Sequence, residues 1–525
     1  MTVLSRISAL VLPACVTAYA FATPAAVVVP VEAVTPSAMT QTAPLVNPKP
    51  KLSVHDIALV QAGRDADLEA VKIQLSAGAR INSVDGAYTA LTGAVSYGNF
   101  TLVAYLLSRG ADPNLTPPNS PTPLAIAVES GAVDLADALI HGGAKVNLAG
   151  ALGETPLMRA AIDGNLAMTR LLIRRGARID QINASGATAL FAAADANHPS
   201  VAAELIAKGA NVNASDSAGF TPLIVAAAKA RYETVKLLID LGAKVDAATN
   251  HGETALMHAV AAASPSTTQL LVTGKANVNA RDSSGRTALM HAILVPAKTM
   301  QARLLSILLQ NGATPDAKND SGQTALMYAC AAGRVDSAML LLDKGANAGI
   351  ADNLNADALL YLAGLPLADI AMAQPSSQTA GDVSSTEQKV AQRLAAAPTE
   401  RAGERNADAL CVAAGTGRIG VVRGILDAGA SVNTRADKNL TTYFPTGRQN
   451  AQGESADWPV GVTPLIVATA EGKNDIVREL IQRGADVSIA AQNGQTAADF
   501  AKITHHDVTA QVLHDAALTT HTPTE

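Results

Sequence analysis

Short apolar blocks recur along most of the chain, separated by polar segments rich in Asn, Asp, Ser and Gly. One block, Leu171-Leu172-Ile173, stops at Gly176, a residue that readily adopts the left-handed backbone that ends a helix. Many blocks open on a threonine, which can cap a helix, and often continue with a proline, which suits the first turn. Asn213 to Gly219 has the composition of a tight turn. The pattern predicts pairs of short helices with a hairpin loop between successive pairs.

Two phrases repeat in phase along the chain. The first is Thr-Pro-Leu or Thr-Ala-Leu, followed by an apolar residue and alanines. Its steps are 33 residues up to Thr287 and 37 to Thr324, and it returns at Thr463 and Thr496, again 33 apart. It begins at Thr89, Thr122, Thr155, Thr188, Thr221, Thr254, Thr287, Thr324, Thr463 and Thr496. The second phrase is an apolar pair followed by Gly-Ala, as at Gly110, Gly143, Gly176, Gly209 and Gly242. Since no helix pair can bury its apolar face alone, neighbouring units are expected to stack.

This pattern resembles the ankyrin-repeat family, whose units combine a T-P-L-H-x-A helix start, a Gly-Ala helix end and a V-N-x-x-D-x-x-G hairpin. Thr221-Pro222-Leu223 opens one such unit, and residues 209–213, Asp216 and Gly219 form the loop before it. The family's His is replaced by apolar residues such as Met158 and Ile224, which still plug the interior. The resemblance implies an all-α ankyrin-repeat solenoid of helix–turn–helix units with hairpin loops.

We expect about thirteen repeats. Residues 52–364 hold repeats 1 to 9 and the start of a degenerate repeat 10, and residues 386–518 hold the rest, before a tail at 519–525. Between them, the opening at Asp357 is followed by the next at Asp408, 51 residues later, which predicts a polar insertion at 365–385. We favour one continuous solenoid, with two separate arrays as the alternative. Four extra residues around Leu294 to Met300 are expected to lengthen a first helix or the turn after it.

The N-terminus has the features of an export signal, predicted for residues 1–22. Arg6 supplies the positive charge, residues 7–19 the apolar stretch, and Ala20-Phe21-Ala22 the cleavage site. Residues 23–51 contain six prolines and are expected to form an extended tether. We therefore expect a periplasmic protein without an integral membrane span after signal removal. A lipid anchor at Cys15 and full secretion are the alternatives.

Composition and motifs argue against catalysis and against charged polymers as partners. Aromatic residues make up 3% of the chain and the net charge is only −6, which favours neither nucleic acid nor an anionic membrane. No HExxH, GxSxG, GxxxxGK[ST] or paired CxxC motif occurs. His258 and His291 share one slot in adjacent units, roughly 10 Å apart, which is too far for one metal ion. We expect no enzyme activity, cofactor or metal. Stoichiometric metal or haem bound to the purified protein would instead favour the hypothesis of an enzyme or cofactor carrier.

The two cysteines outside the signal, Cys330 and Cys411, lie in apolar helical contexts. We expect two buried free thiols, as small apolar residues of this type commonly are. A disulfide between them is the alternative.

The ankyrin resemblance implies that a protein partner binds the concave face, built from hairpin tips and the exposed side of each first helix. Mapping this face onto the sequence gives Tyr97, Glu129, Asp163, Asp195, Phe220, Lys229, His251, Glu253 and Arg286. A long hairpin insertion at 434–462 adds Tyr443, Phe444 and Trp458, the only tryptophan of the chain. These aromatic residues are expected to anchor a partner; the alternative is that they pack onto neighbouring repeats.

The expected function is therefore a non-catalytic scaffold that binds envelope or periplasmic proteins. The alternative is a secreted effector that binds host proteins.

Overall fold

A computed structural model describes residues 51–117, 120–150, 152–365, 367, 382–399, 402–436, 440, 448–449, 455–456 and 458–520. The predicted signal peptide, nearly all of the predicted tether and most of the 365–385 insertion lie outside these residues. Within them, no helix is long and apolar enough to cross a membrane.

The described residues form thirteen consecutive pairs of α-helices and one short strand pair. The helices are α1 (Val54–Arg64), α2 (Leu68–Ser76), α3 (Ala90–Tyr97), α4 (Phe100–Ser108), α5 (Pro123–Glu129), α6 (Val133–His141), α7 (Pro156–Ile162), α8 (Leu166–Arg174), α9 (Ala189–Asp195), α10 (Pro199–Ala207), α11 (Pro222–Ala228), α12 (Tyr232–Asp240), α13 (Ala255–Ala261), α14 (Pro265–Thr273), α15 (Ala288–Ile293), α16 (Lys298–Gln310), α17 (Ala325–Ala331), α18 (Val335–Asp343), α19 (Ala358–Ala363), α20 (Asp382–Ala395), α21 (Ala402–Thr416), α22 (Ile419–Asp427), α23 (Pro464–Ala470), α24 (Asn474–Gln482), α25 (Ala497–Ile503) and α26 (Asp507–Thr520). The strands are β1 (Arg448–Gln449) and β2 (Ser455–Ala456), which pair antiparallel.

The helices form two layers. Odd-numbered first helices pack against the first helices of the neighbouring pairs, and even-numbered second helices pack against second helices. One apolar cluster runs through the stack, from Leu59 in α1 to Leu513 in α26. The prediction of an all-α solenoid is confirmed, and the number of helix pairs agrees with the expected number of repeats.

The repeated phrases act where the sequence predicted. The Thr155 hydroxyl accepts a hydrogen bond from the Met158 backbone N–H at 3.2 Å, and Pro156 occupies the first turn of α7. Gly176 follows the end of α8 with a φ of +89°. Lys275 stands in the same position one unit after Gly242 and adopts a φ of +68°, which is unfavourable for a side chain with a Cβ.

A ladder of side-chain hydrogen bonds joins neighbouring hairpin loops. The Asn147 Oδ1 accepts from the Arg178 backbone N–H at 2.7 Å, and its Nδ2 donates to the Gly176 carbonyl at 3.1 Å. The first of these two bonds, in which a side-chain oxygen accepts from a backbone N–H of the next hairpin, recurs in eight other hairpins. The accepting residues are Asn82, Asn114, Asp180, Asn213, Asp246, Asn279, Asp316 and Asn433. We call these bonds the hairpin ladder. They satisfy loop backbone groups that helix packing alone would leave unpaired.

The hairpin ladder is interrupted at Gly349, which occupies the same position without a side chain. A Cβ at Gly349 would lie 2.8 Å from the Thr399 Cγ2, so the segment that follows α20 fills this space. Helix packing nevertheless continues: α19 contacts α17 and α21, and α20 contacts α18 and α22. Residues 382–385, which the sequence assigned to the polar insertion, begin α20.

A buried arginine ties the two helices of this degenerate pair together. The Arg405 Nη2 donates to the carbonyls of Leu394 and Ala395 at 3.0 and 3.1 Å, at the end of α20. Its Nε lies 3.3 Å from the Asp357 carboxylate, which caps the start of α19. Burial raises the pKa of Asp357, and the Arg405 charge opposes that rise. Arg405 therefore supplies hydrogen-bond donors in a unit whose sequence departs from the repeat pattern.

The four extra residues of the 37-residue step lengthen a second helix. First helix α15 is short, whereas α16 runs from Lys298 to Gln310. The buried Gln301 of α16 donates to the Ile293 carbonyl and accepts from the Ser337 hydroxyl. The expectation of a longer first helix or a longer turn after it was wrong, since α16 begins ten residues after the start of α15, just as α14 begins ten residues after the start of α13.

Cys330 and Cys411 are both fully buried and are free thiols, which confirms the expectation for these two residues. Burial raises the pKa of each thiol, of Cys330 in α17 and of Cys411 in α21. Both are therefore held as unreactive apolar groups.

Replacing Leu171 with Ala should lower the free energy of unfolding by about 2–5 kcal/mol, because Leu171 is 3% exposed within the common core. Urea denaturation followed by circular dichroism measures the change. Arg174→Ala, at an exposed position of the same helix, is the control and should change stability little. Equal curves for the parent and Leu171→Ala would contradict the burial.

Candidate protein-interaction surface

Five of the expected partner-binding residues lie in one row at the ends of successive first helices. Tyr97, Glu129 and Asp195 are the last residues of α3, α5 and α9, and Asp163 and Lys229 directly follow α7 and α11. Tyr97 is 67% exposed, and the side chains of the others range from about one third to more than half exposed. Because α-helices in one layer are parallel, the row displays these side chains side by side along the array.

Arg159 binds three carboxylates at the centre of this row. Its Nε lies 3.1 Å from the Asp163 Oδ2, its Nη2 lies 3.3 Å from the Glu129 Oε1, and its Nη1 lies 4.0 Å from the Glu154 Oε1. We call Arg159, Asp163, Glu129 and Glu154 the Arg159 cluster. Burial raises the pKa of Glu154, and Asp163 and Glu129 add to the rise while Arg159 opposes it. The cluster thus has more carboxylates than cations.

Sequence reasoning did not identify Arg159 or Glu154. Arg159 follows the apolar plug of its helix, a slot that holds Ala192, Val225, His258 and Tyr328 in other units. That variation within an otherwise regular repeat is the signal that could have found it, because the slot holds core residues in some units, such as Val225 and Tyr328, and a charged residue only here. Two repeats further along, Lys229 pairs with Asp195 of the preceding unit at 3.9 Å.

The next hairpins hold residues that are more buried than expected. The Phe220 ring lies 5.1 Å from the His258 ring, and the His258 Nε2 lies 3.4 Å from the Glu253 Oε2. The contact with His258 lowers the pKa of Glu253, against the effect of burial. His251 remains exposed at its hairpin tip, where its carbonyl accepts from the Ser283 N–H at 2.8 Å.

The sequence predicted that Arg286 is displayed on the concave face, but the structure buries most of its side chain. Its side chain is 12% exposed, and its Nε donates to the buried Asp282 at 2.9 Å. The His291 Nε2 donates to the same carboxylate at 3.1 Å. Arg286 lies inward because Asp282 closes its hairpin, accepting from the backbone N–H groups of Ser284 and Arg286, and so brings a negative charge below the surface.

A similar arrangement continues in the following repeats, where tyrosine hydroxyls take the place of the histidine ring. The Asn319 amide donates to the Tyr328 hydroxyl at 3.2 Å, and the Gln323 amide donates to the Tyr361 hydroxyl at 3.2 Å. The Tyr361 hydroxyl in turn donates to Asp352 at 2.6 Å. These groups are buried and satisfied, so they fix the hairpins rather than face a partner.

The 434–462 insertion is anchored by its own base. Trp458 is 3% exposed and Leu440 is fully buried, both within the common apolar cluster. The Ala436 N–H donates to the Val462 carbonyl at 3.0 Å, and the Gln492 N–H donates to the Val460 carbonyl at 3.1 Å. Trp458 is therefore a packing residue, and the expectation that it is displayed was wrong. Tyr443 and Phe444 lie outside the described residues.

In the part of the chain that the structure describes, no group of three His, Cys, Asp or Glu side chains could hold a metal ion. His258 and His291 each pair with a carboxylate of their own hairpin.

Stacked helix pairs, joined hairpins and a row of exposed side chains define a repeat scaffold. The family model described as ankyrin repeats (3 copies) matches residues 59–150, 143–216, 223–298 and 296–365, and the model described as ankyrin repeat matches residues 460–492. These matches span more than half of the chain, which therefore belongs to the ankyrin-repeat family. Ankyrin repeats indicate a protein–protein interaction scaffold with protein partners. No curated protein matches the chain.

Asp282 should make the stability of its repeat depend on acid. Burial alone would raise the pKa of Asp282, but the His291 hydrogen bond and Arg286 outweigh it and lower the pKa from 3.8 to about 2. A lowered folded-state pKa contributes stability above the usual carboxyl pKa, and that contribution is lost as the pH falls towards 2. The parent should therefore lose more stability between pH 5 and pH 3 than Asp282→Asn, by about 1 kcal/mol.

Urea denaturation at both pH values measures this difference. The matched control is Asp216→Asn, because Asp216 accepts the same two backbone N–H bonds in its own hairpin. Equal acid sensitivity of the parent and Asp282→Asn would show that the Arg286 and His291 contacts do not stabilise the charged carboxylate.

Proposed function

We propose that this chain is an exported, non-catalytic scaffold that binds envelope or periplasmic proteins through its concave face. The observation that carries the proposal is the row of exposed side chains on successive first helices, from Tyr97 to Lys229. The row combines an aromatic ring with charged groups, a combination that supports specific protein contacts.

The packing and hydrogen bonds that hold this row in place also support the proposal. Each side chain stands at the end of a short helix whose other face is buried in the common core. The hairpin ladder ties the loops beside it, and ion pairs such as Arg175–Asp137 and Arg170–Glu204 join the outer helices. A surface that is ordered before binding costs little conformational entropy when the partner arrives.

Export is supported by the N-terminal sequence alone. A positive residue, a short apolar stretch and an A-x-A site fit a cleaved signal better than a permanent span, because the stretch is too short and contains Pro13.

If export proceeds as proposed, the protein in the periplasmic fraction should begin at Thr23. Mass spectrometry of the intact protein after cell fractionation measures the N-terminus. Cys15→Ser is the matched control and should leave both processing and location unchanged. Release of the chain from membranes by this variant alone would favour the lipid-anchored alternative, and recovery of the chain outside the cell would favour the secreted effector.

Partner capture should depend on the concave row. The double variant Tyr97→Ser with Asp195→Asn should reduce the partner recovered by crosslinking in intact cells at least about fivefold, because clustered contacts carry most of the binding energy. Quantitative mass spectrometry measures recovery, and circular dichroism checks that the fold is kept.

The matched control is Tyr232→Ser with Asp475→Asn, which alters an exposed tyrosine and an exposed aspartate on second helices. Recovery with this control should stay within about twofold of the parent. An equal loss in both double variants, or no loss in either, would remove the concave row from the binding surface.

A further inference from the structure

Three large aliphatic side chains are exposed on two adjacent hairpins. Leu148 and Leu152 lie in the loop before α7, and Ile182 lies in the loop before α9; they are 37%, 67% and 60% exposed. The two tips touch: the Ala184 N–H donates to the Leu152 carbonyl at 3.0 Å, and a Cβ at Gly153 would lie 3.1 Å from the Asn183 Cα. We call these three residues the apolar tip patch.

The fold does not require apolar residues at these tips. The position of Leu152 is taken by Ser185, Ala218, His251 and Ser284 in the following hairpins, which have the same backbone bonds. Leu354 also occupies this position and is 83% exposed, but it lies six units further along the array. An exposed leucine at Leu152 therefore contributes nothing to the core, and the separation of Leu354 makes it a natural control.

The Arg159 cluster begins two residues after Leu152. Its three carboxylates share one guanidinium, and Glu129 is the most exposed of them at 59%. The Glu154 Oε1 is shielded from solvent and accepts no hydrogen bond; its nearest cation is the Arg159 Nη1 at 4.0 Å. The rest of the Glu154 side chain is 31% exposed, so a cation that arrives beside it and Glu129 would reduce the surplus of negative charge.

We infer that the apolar tip patch and the Arg159 cluster together bind a protein segment in which apolar side chains are flanked by arginine or lysine. The apolar side chains cover Leu152 and Ile182, and the cation bonds to Glu154 and Glu129. An acidic segment is rejected by the same carboxylates. This inference rests on the proposed function and adds the chemistry of the partner to it.

The test uses the full chain and a short synthetic peptide in which two Leu-Leu pairs are flanked by arginines, labelled for fluorescence anisotropy. Two further peptides serve as probes, one with every Arg changed to Glu and one with every Leu changed to Ser. The first peptide should bind, and both others should bind at least about tenfold more weakly, since contact and charge are both required. Raising the salt concentration should weaken binding of the first peptide.

Variants of the chain locate the site. Leu152→Ser with Ile182→Ser should weaken binding of the Arg/Leu peptide at least about fivefold, and Glu154→Gln should weaken it about threefold or more. The controls are Leu354→Ser for an equivalent exposed tip and Asp475→Asn for an exposed carboxylate on a second helix. Both controls should leave the dissociation constant within about twofold of the parent.

The inference is overturned if the Ser-substituted peptide binds as well as the Leu peptide, or if Leu354→Ser weakens binding as much as the tip variant. No binding of the Arg/Leu peptide at all overturns it as well. These outcomes leave the proposed function standing if crosslinking still depends on Tyr97 and Asp195. If the double variant of those two residues recovers as much crosslinked partner as the parent, the proposed function is contradicted, regardless of the peptide-binding result.

Discussion

Contact between neighbouring repeats is the constraint on which the whole structure depends. Each unit has two short helices that bury one face only when the next unit covers it, so no unit has a core of its own. The cluster from Leu59 to Leu513 is the sum of these nearest-neighbour contacts. Stability therefore accumulates along the array. The order of a surface residue depends on the stability of the two interfaces between its own unit and the neighbouring units.

Most of the fold could be predicted because a fixed period leaves little freedom. The threonine cap, the proline after it and the Gly-Ala end each act locally, so their spacing alone places the helices. Prediction failed where a partner is distant in sequence. Nothing near Arg405 indicates that it will bond to α20 and Asp357, and Gln301 of the lengthened α16 bonds to Ser337, which lies in the next unit.

The candidate surface could be predicted only in part, for a similar reason. Tyr97, Glu129 and Asp195 were found because helix ends face solvent by periodicity. Arg286 was misplaced because a single buried carboxylate, Asp282, draws it inward, and Trp458 because the base of its insertion folds back onto the core. Arg159 was missed because its significance comes from three carboxylates on two adjacent units, which only coordinates bring together.

The gap in the hairpin ladder at Gly349 has a mechanical consequence. From α1 to α18, neighbouring units are joined twice, by apolar helix contacts and by the polar loop bonds of the hairpin ladder. At Gly349 the second fastening is absent, and Arg405 strengthens only the helix side. Helix contacts alone then carry a bending or stretching load, so cooperative units of local opening should have a boundary there.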